Sequence, residues 1–307
     1  MDNIEGQQLT GLGAIGLLLL VFLLSVFNAG VVVATCLFGL ALVFGMTGWL
    51  GFSVTIVAGV VALGVPDVDS LWYLERSWSV LLFGCFASSS MVFPNSLFLQ
   101  RAIGSLGATV VLVGVVFLLD HQYWYRIDEM VGQGIMSNIN RTLDVFNQME
   151  SERITQYSLS ETAMQLAGYQ SRFFPALLGL SSLASMAVAW WGYIGLSGSK
   201  LMNLRRLNEF NFSDHLVWLL IAGLLLLVPD FSDDWSRIGE NLVFFMAGLY
   251  VMRGTAVFLV TAKISFFGKT MLCLGLILLG PLFLTTAFLV GLSDTWFDHR
   301  NRVRMIS

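Results

Sequence analysis

The sequence predicts an all-α protein: a polytopic transmembrane helix bundle of eight or nine spans, with one extramembrane amphipathic helical insert. Hydrophobic residues make up 56 % of the 307 and charged residues only 12 %, about half the charged share of a soluble chain. Mean hydropathy is +0.78, more apolar surface than a water-soluble globule of this size can hide. The apolar residues also come in runs close to the ~20 residues that cross a bilayer, with one long polar interruption, Asp120 to Arg172. This composition excludes a soluble enzyme, a disordered chain and a disulfide-stapled secreted scaffold. A net charge of −4 offers no basic surface to nucleic acid.

Four blocks follow: an N-terminal transmembrane block (1–119), the insert (120–172), a C-terminal transmembrane block (173–292) and a polar amphipathic tail (293–307). Met1 to Thr10 carries Asp2 and Glu5 but no Lys or Arg, so the first apolar run reads as a retained span and not a signal peptide. Gly11 to Val65 is broken only at Asn28-Ala29-Gly30 and Thr47-Gly48-Trp49, which predicts three short spans near 11–27, 31–46 and 51–65. Two long tilted spans are the alternative. Pro66 ends that run, and Asp67, Asp69, Glu75 and Arg76 read as a polar loop. A fourth span, near 77–93, stops at Pro94, and a fifth runs from Ala102 to Leu119.

The insert has few turn residues. Ile127, Val131, Ile135, Ile139 and Leu143 recur every four positions and Phe146 and Met149 continue the stripe, as on one face of an amphipathic helix. Ser158 and Glu161 have capping-box spacing, predicting a second helix and hence a helical hairpin. Val131, Ile135 and Ile139 are therefore candidate interaction residues for a partner helix or the membrane surface.

The sixth span, near 173–194, carries Ser181, Ser185 and Ala189 at four-residue intervals. Small residues on one stripe let helices approach closely in lipid, either within this chain or at a subunit interface. Further spans are expected near 214–229, 241–262 and 271–292. Six Lys or Arg in the loops of one face against five on the other barely orient the bundle, whereas two acidic residues against nine (Glu209 and Asp214 on the first face, Asp294 among those on the second) separate the faces. The first face is assigned to the cytoplasm, with the insert and the C-terminal tail outside.

No phosphate-binding loop, H-E-x-x-H or G-x-S-x-G occurs, and His121, His215 and His299 are far apart. The expectation is no catalytic residue, no metal site and no cofactor. Cys36, Cys85 and Cys273 lie in apolar runs without C-x-x-C spacing, as small buried hydrophobes do. Arg253, in mid-span, must face protein or a watery cavity. It pairs with a carboxylate, Asp294 being the first candidate, or it meets a small anionic ligand. Tyr250 and Gly254 lie beside it, making one helix face polar and indented. Arg253, Tyr250 and Asp294 are the candidate ligand-binding set. Ser213 or Asp214 is expected to cap the seventh span, and Asp294 a short helix in the tail. Pro281 is expected to kink the ninth span.

Five segments together resemble the YybS-like family of bacterial multi-pass membrane proteins. They are Arg172-Phe-Phe-Pro-Ala-Leu-Leu-Gly-Leu-Ser-Ser182, Asp214-His-Leu-Val-Trp218, Gly239-Glu-Asn-Leu-Val-Phe-Phe245, Tyr250-Val-Met-Arg-Gly-Thr-Ala256 and Gly291-Leu-Ser-Asp-Thr-Trp-Phe-Asp-His-Arg300. The resemblance covers residues 172–300 by motif and the first 120 by hydropathy only. It implies a helical polar insert ahead of a proline-led span and a location in the bacterial cytoplasmic (inner) membrane. It carries no established activity. The family usually has an uncharged polar residue where this chain has Arg253.

The family is in turn likened to the substrate-binding S components of energy-coupling-factor vitamin transporters, which dock through an Ala-x-x-x-Ala pair on the first helix. Here the first span has Gly11, Gly13, Ala14 and Gly16 instead, and the pair Ala58/Ala62 falls on the third. Two functions follow as expectations. One is a non-catalytic accessory or scaffold subunit, whose partners are the bilayer and either a second copy or another membrane protein. The other is a small-molecule permease or substrate-binding transporter subunit.

Overall fold

A computed structural model describes residues 27–46, 48–64, 70–119, 122–149, 165, 168–197, 212–228, 233–261 and 280–297. Among them every regular element is helical. Three helices are long and apolar enough to cross a membrane, within Phe98–Phe117, Phe174–Ser197 and Trp235–Phe258. Shorter apolar helices occupy Ala29–Phe44, Gly48–Leu63, Asp214–Leu226 and Leu282–Phe297. The chain forms two compact units, one within residues 14–202 and one within 203–307.

The first unit holds α1 (Ala29–Phe44), α2 (Gly48–Leu63), α3 (Ser70–Val92), α4 (Phe98–Leu119), α5 (Gln122–Met149) and α6 (Phe174–Ser197). Asn28 caps α1, its side chain accepting from the Gly30 amide at 3.1 Å, while its own amide donates to Glu75 Oε1 at 2.9 Å. Gly45 (φ +77°) and Gly48 (φ +84°) take left-handed conformations and reverse the chain between α1 and α2. The Tyr193 hydroxyl donates to the Gly45 carbonyl at 3.0 Å and ties that turn to α6. The breaks at 28–30 and 47–49 therefore separate two helices of 16 residues each; the stretch 11–27 lies almost wholly outside the described residues. Ala58 and Ala62 are buried against Ala34, Leu37 and Phe38 of α1, so this pair makes an intramolecular contact.

Two boundaries differ from the hydropathy reading. α3 begins at Ser70 and contains Glu75 and Arg76, which the sequence assigns to a loop. Leu71, Leu74 and Trp78 pack on its inner side, so the helix continues through the charged pair. α4 begins at Phe98 and contains Arg101, also assigned to a loop. Arg101 is buried, its guanidinium 5.1 Å from the Trp190 ring centre.

The insert's first helix, α5, is 28 residues long, about 42 Å. Val131 and Ile135 are buried in one cluster with Phe27, Phe174 and Leu178, with Leu71 and Trp78 packed beside them. At these two residues the stripe is covered by the chain's own α3 and α6. The Ile139 side chain and the second insert helix fall outside the described residues, apart from 165 and 168–172. Val131→Asp should accordingly destabilise the unit by about 2–5 kcal/mol, as large core losses do, whereas Tyr125→Asp, on the exposed side, should change little. Thermal unfolding of the purified variants checks this.

α6 is the most enclosed of the long apolar helices, with 78 % of its window buried. Ser181, Ser185 and Ala189 are all buried inside the unit. Ala184 and Val188 pack against Ala29 and Val33, and Trp78 Nε1 donates to Ser182 Oγ at 2.9 Å. The small-residue stripe thus serves packing within the chain and does not present a free face to a second subunit. It also draws α6 into the N-terminal unit, across the boundary expected at 172/173.

The second unit is built on α8 (Asp233–Thr261), with the 3-10 turn Asp214–Leu216 leading into α7 (Val217–Leu226) and with α9 (Gly280–Phe297). Both neighbours approach α8 through glycine pairs. A Cβ on Gly223 would stand 3.2 Å from the Gly239 carbonyl oxygen, and one on Gly239 would stand 2.8 Å from that of Gly223. On the other side, a Cβ on Gly254 would overlap the Ala287 carbonyl and lie 2.9 Å from the Gly291 amide nitrogen. Pro281 is the second residue of the described part of α9, and the residues before Gly280, on which its kink depends, lie outside the described set.

Candidate functional site

The glycine contacts of α8 fix what meets at its middle. Gly254 brings α9 so close that Asp294, three residues beyond Gly291, lies beside Arg253. Arg253 Nε donates to Asp294 Oδ2 at 3.0 Å, and Nη2 donates to the Asp294 main-chain carbonyl at 3.2 Å. Gly223 and Gly239 hold α7 against the first half of α8, and the turn before α7 supplies Asp214. Its Oδ1 accepts from Arg253 Nη1 at 2.8 Å. All three guanidinium nitrogens therefore have partners, and two carboxylates face one cation.

The two carboxylates differ in environment. The Asp294 side chain is 0 % exposed and that of Arg253 4 %, whereas Asp214 is 61 % exposed. The inner pair sits where charge–charge attraction is little screened, and the outer carboxylate stands in contact with whatever surrounds the unit. Aromatic rings complete the setting. The Arg253 guanidinium lies 5.3 Å from the Phe212 ring centre, within cation–π range. Phe212 and Phe288 both meet the buried Tyr250 ring edge to face, at 5.3 and 6.1 Å. The hydroxyls of Tyr250 and Thr295 are both buried there, beside one another.

The candidate residues Arg253, Tyr250 and Asp294 thus share one locus, and Arg253 pairs with Asp294. Asp214 joins them, which the sequence does not reveal. Neither aspartate caps a helix. Ser213, at the cap position before Asp214, makes no side-chain capping bond, and Asp294 lies inside α9, which runs on to Phe297. The loop-charge tally places Asp214 and Asp294 on opposite faces, yet both reach the same guanidinium, because α7 and α9 each cover one half of the long α8. Among the described residues no cluster of three His, Cys, Asp or Glu side chains forms a metal site. Cys36 is buried and Cys85 half-buried, both as free thiols.

Among the described residues, fold and site define an all-helical protein with three membrane-span-like helices and a buried Arg253–Asp294 pair joined by the exposed Asp214. No protein-family model, curated protein or solved structure matches the chain.

Proposed function

We propose that this chain is a multi-pass protein of the bacterial inner membrane, a bundle of eight or nine spans of the YybS-like kind. It acts there as a non-catalytic accessory or scaffold subunit. The observation that carries the reading is the closure of the Arg253 site: every guanidinium nitrogen is engaged by the chain itself, so that the cluster joins α8 to α9 and to the turn before α7. Charge so placed fixes which helices pack together. The perimeter supports the membrane part. Val110, Val111, Leu112, Val115 and Val116 of α4 are all exposed, as are Trp49, Leu50, Phe52 and Val57 of α2, an apolar surface suited to lipid or to another transmembrane helix.

A second reading, a small-molecule permease or substrate-binding subunit resembling S components, has one observation in its favour. The buried hydroxyls of Tyr250 and Thr295 lie beside the ion cluster, and Asp214 gives it an exposed edge. Native mass spectrometry of the protein, extracted mildly from its host's membranes, separates the two. The scaffold reading expects a stoichiometric protein companion or a defined homo-oligomer that survives Asp214→Asn. A monomer carrying a small molecule, lost on Asp214→Asn, would sink it in favour of the permease.

A further inference from the structure

Arg101 is a second buried cation, and among the described residues no carboxylate pairs with it. It is 6 % exposed, and its Nε and Nη1 are fully buried without a hydrogen-bond partner. The Trp190 ring, 5.1 Å away, faces the guanidinium, and Trp190 forms a triangle of rings with Phe86 and Phe98, 5.7 Å from each. A ring quadrupole offsets part of a buried charge, not all of it. The residue lines a groove of about 890 Å³ between α3 and α4, within the ~300–1,000 Å³ usual for ligand sites.

The form of the groove says what kind of anion fits. Arg101 sits in the first turn of α4, where the helix dipole also favours negative charge. It lies six residues beyond the exposed loop at 93–95, with Ser96 and Gln100 also in the lining. From there the groove follows α4 to Leu112, about 16 Å along the helix axis. Its far walls are apolar, with Val80 and Leu81 opposite Ala108 and Leu112. The floor is indented by Gly84 and Gly104, where an added Cβ would meet nothing within 4 Å. A free inorganic anion would use the guanidinium and leave the apolar trough empty. An amphiphile with an anionic head and a long hydrocarbon tail fills both.

Resting on the membrane reading above, we propose that the α3–α4 groove is a binding site for an anionic phospholipid. Its phosphate pairs with Arg101 near the membrane surface, and one acyl chain lies over Gly84 and Gly104. The lipid supplies the counter-charge that Arg101 lacks among the described residues.

The test titrates delipidated protein with phosphatidylglycerol or phosphatidylcholine of identical chains and counts bound lipid by native mass spectrometry. Wild type should bind phosphatidylglycerol at least tenfold more tightly. Arg101→Gln should erase the preference. Gly104→Leu, whose Cβ would meet nothing within 4 Å, should fill the trough, weaken both lipids and leave thermal stability intact. Equal binding of the two lipids by wild type, or a preference that persists in Arg101→Gln, overturns the proposal. So does stabilisation by inorganic phosphate equal to that by phosphatidylglycerol, which would make the site one for free anions. Release of wild type from membranes by alkaline carbonate would instead overturn the membrane reading itself.

Discussion

Asp294→Ala should be among the most damaging single substitutions in the chain, lowering stability by about 3–5 kcal/mol, the usual cost of removing one partner from a buried ion pair. The reason is asymmetric burial. Arg253 is 4 % exposed and loses its fully enclosed partner, keeping only Asp214, which is 61 % exposed and therefore screened. Asp214→Asn should cost no more than about 1 kcal/mol, as exposed pairs do. The informative variant is the double one. Arg253→Met with Asp294→Leu removes both charges and restores apolar volume, and it should return to within about 2 kcal/mol of wild type, because a buried pair gains little over a well-packed hydrophobic replacement. Thermal melting in detergent, followed by size-exclusion, checks all three. If Asp294→Ala melts with wild type, the buried pair does not hold this unit together and the scaffold reading loses its main support.

What could be read from the sequence divides along a physical line. Hydropathy and turn chemistry are local, and they place α1 and α2 within a few residues because Asn28, Gly45 and Gly48 act on their own neighbours. The pairing of Arg253 with a carboxylate is also legible, since a lone cation in mid-span demands one. Asp214 is not. An aspartate at the head of an apolar helix looks the same whether it caps that helix or reaches across to another, and only the tertiary fold chooses. Arg101 is hidden for a similar reason: seven residues after Pro94, a charged residue suits a loop, and nothing local announces that Trp190 covers it. The stripes of α5 and α6 show the same limit from the other side. A periodic apolar or small-residue face proves that something packs there, but the pattern of Val131 and Ile135 is the same whether the cover is α3 and α6 or a foreign helix.

The glycines of the second unit yield the other large effect. Gly254→Val and Gly291→Val should each separate α8 from α9 and with them Arg253 from Asp294. A Cβ on Gly291 would overlap the Tyr250 carbonyl and stand 2.7 Å from the Gly254 amide nitrogen, both main-chain atoms that cannot rotate away as a side chain would. Overpacking of a core typically costs about 1–3 kcal/mol. Here the loss should exceed that range, since moving the helix also strands a buried cation. Even alanine should be poorly tolerated at these two positions. Gly84 and Gly107 serve as controls: both lie inside helices with nothing within 4 Å of an added Cβ, so alanine there should be neutral or stabilise by up to about 1 kcal/mol through helix propensity. The contrast, measured as melting temperatures of four single variants, tests close backbone approach apart from glycine's general effect on helices. A Gly254→Ala protein as stable as wild type would mean that α8 and α9 do not approach at this point. The geometry that brings Asp294 to Arg253 would then need another cause.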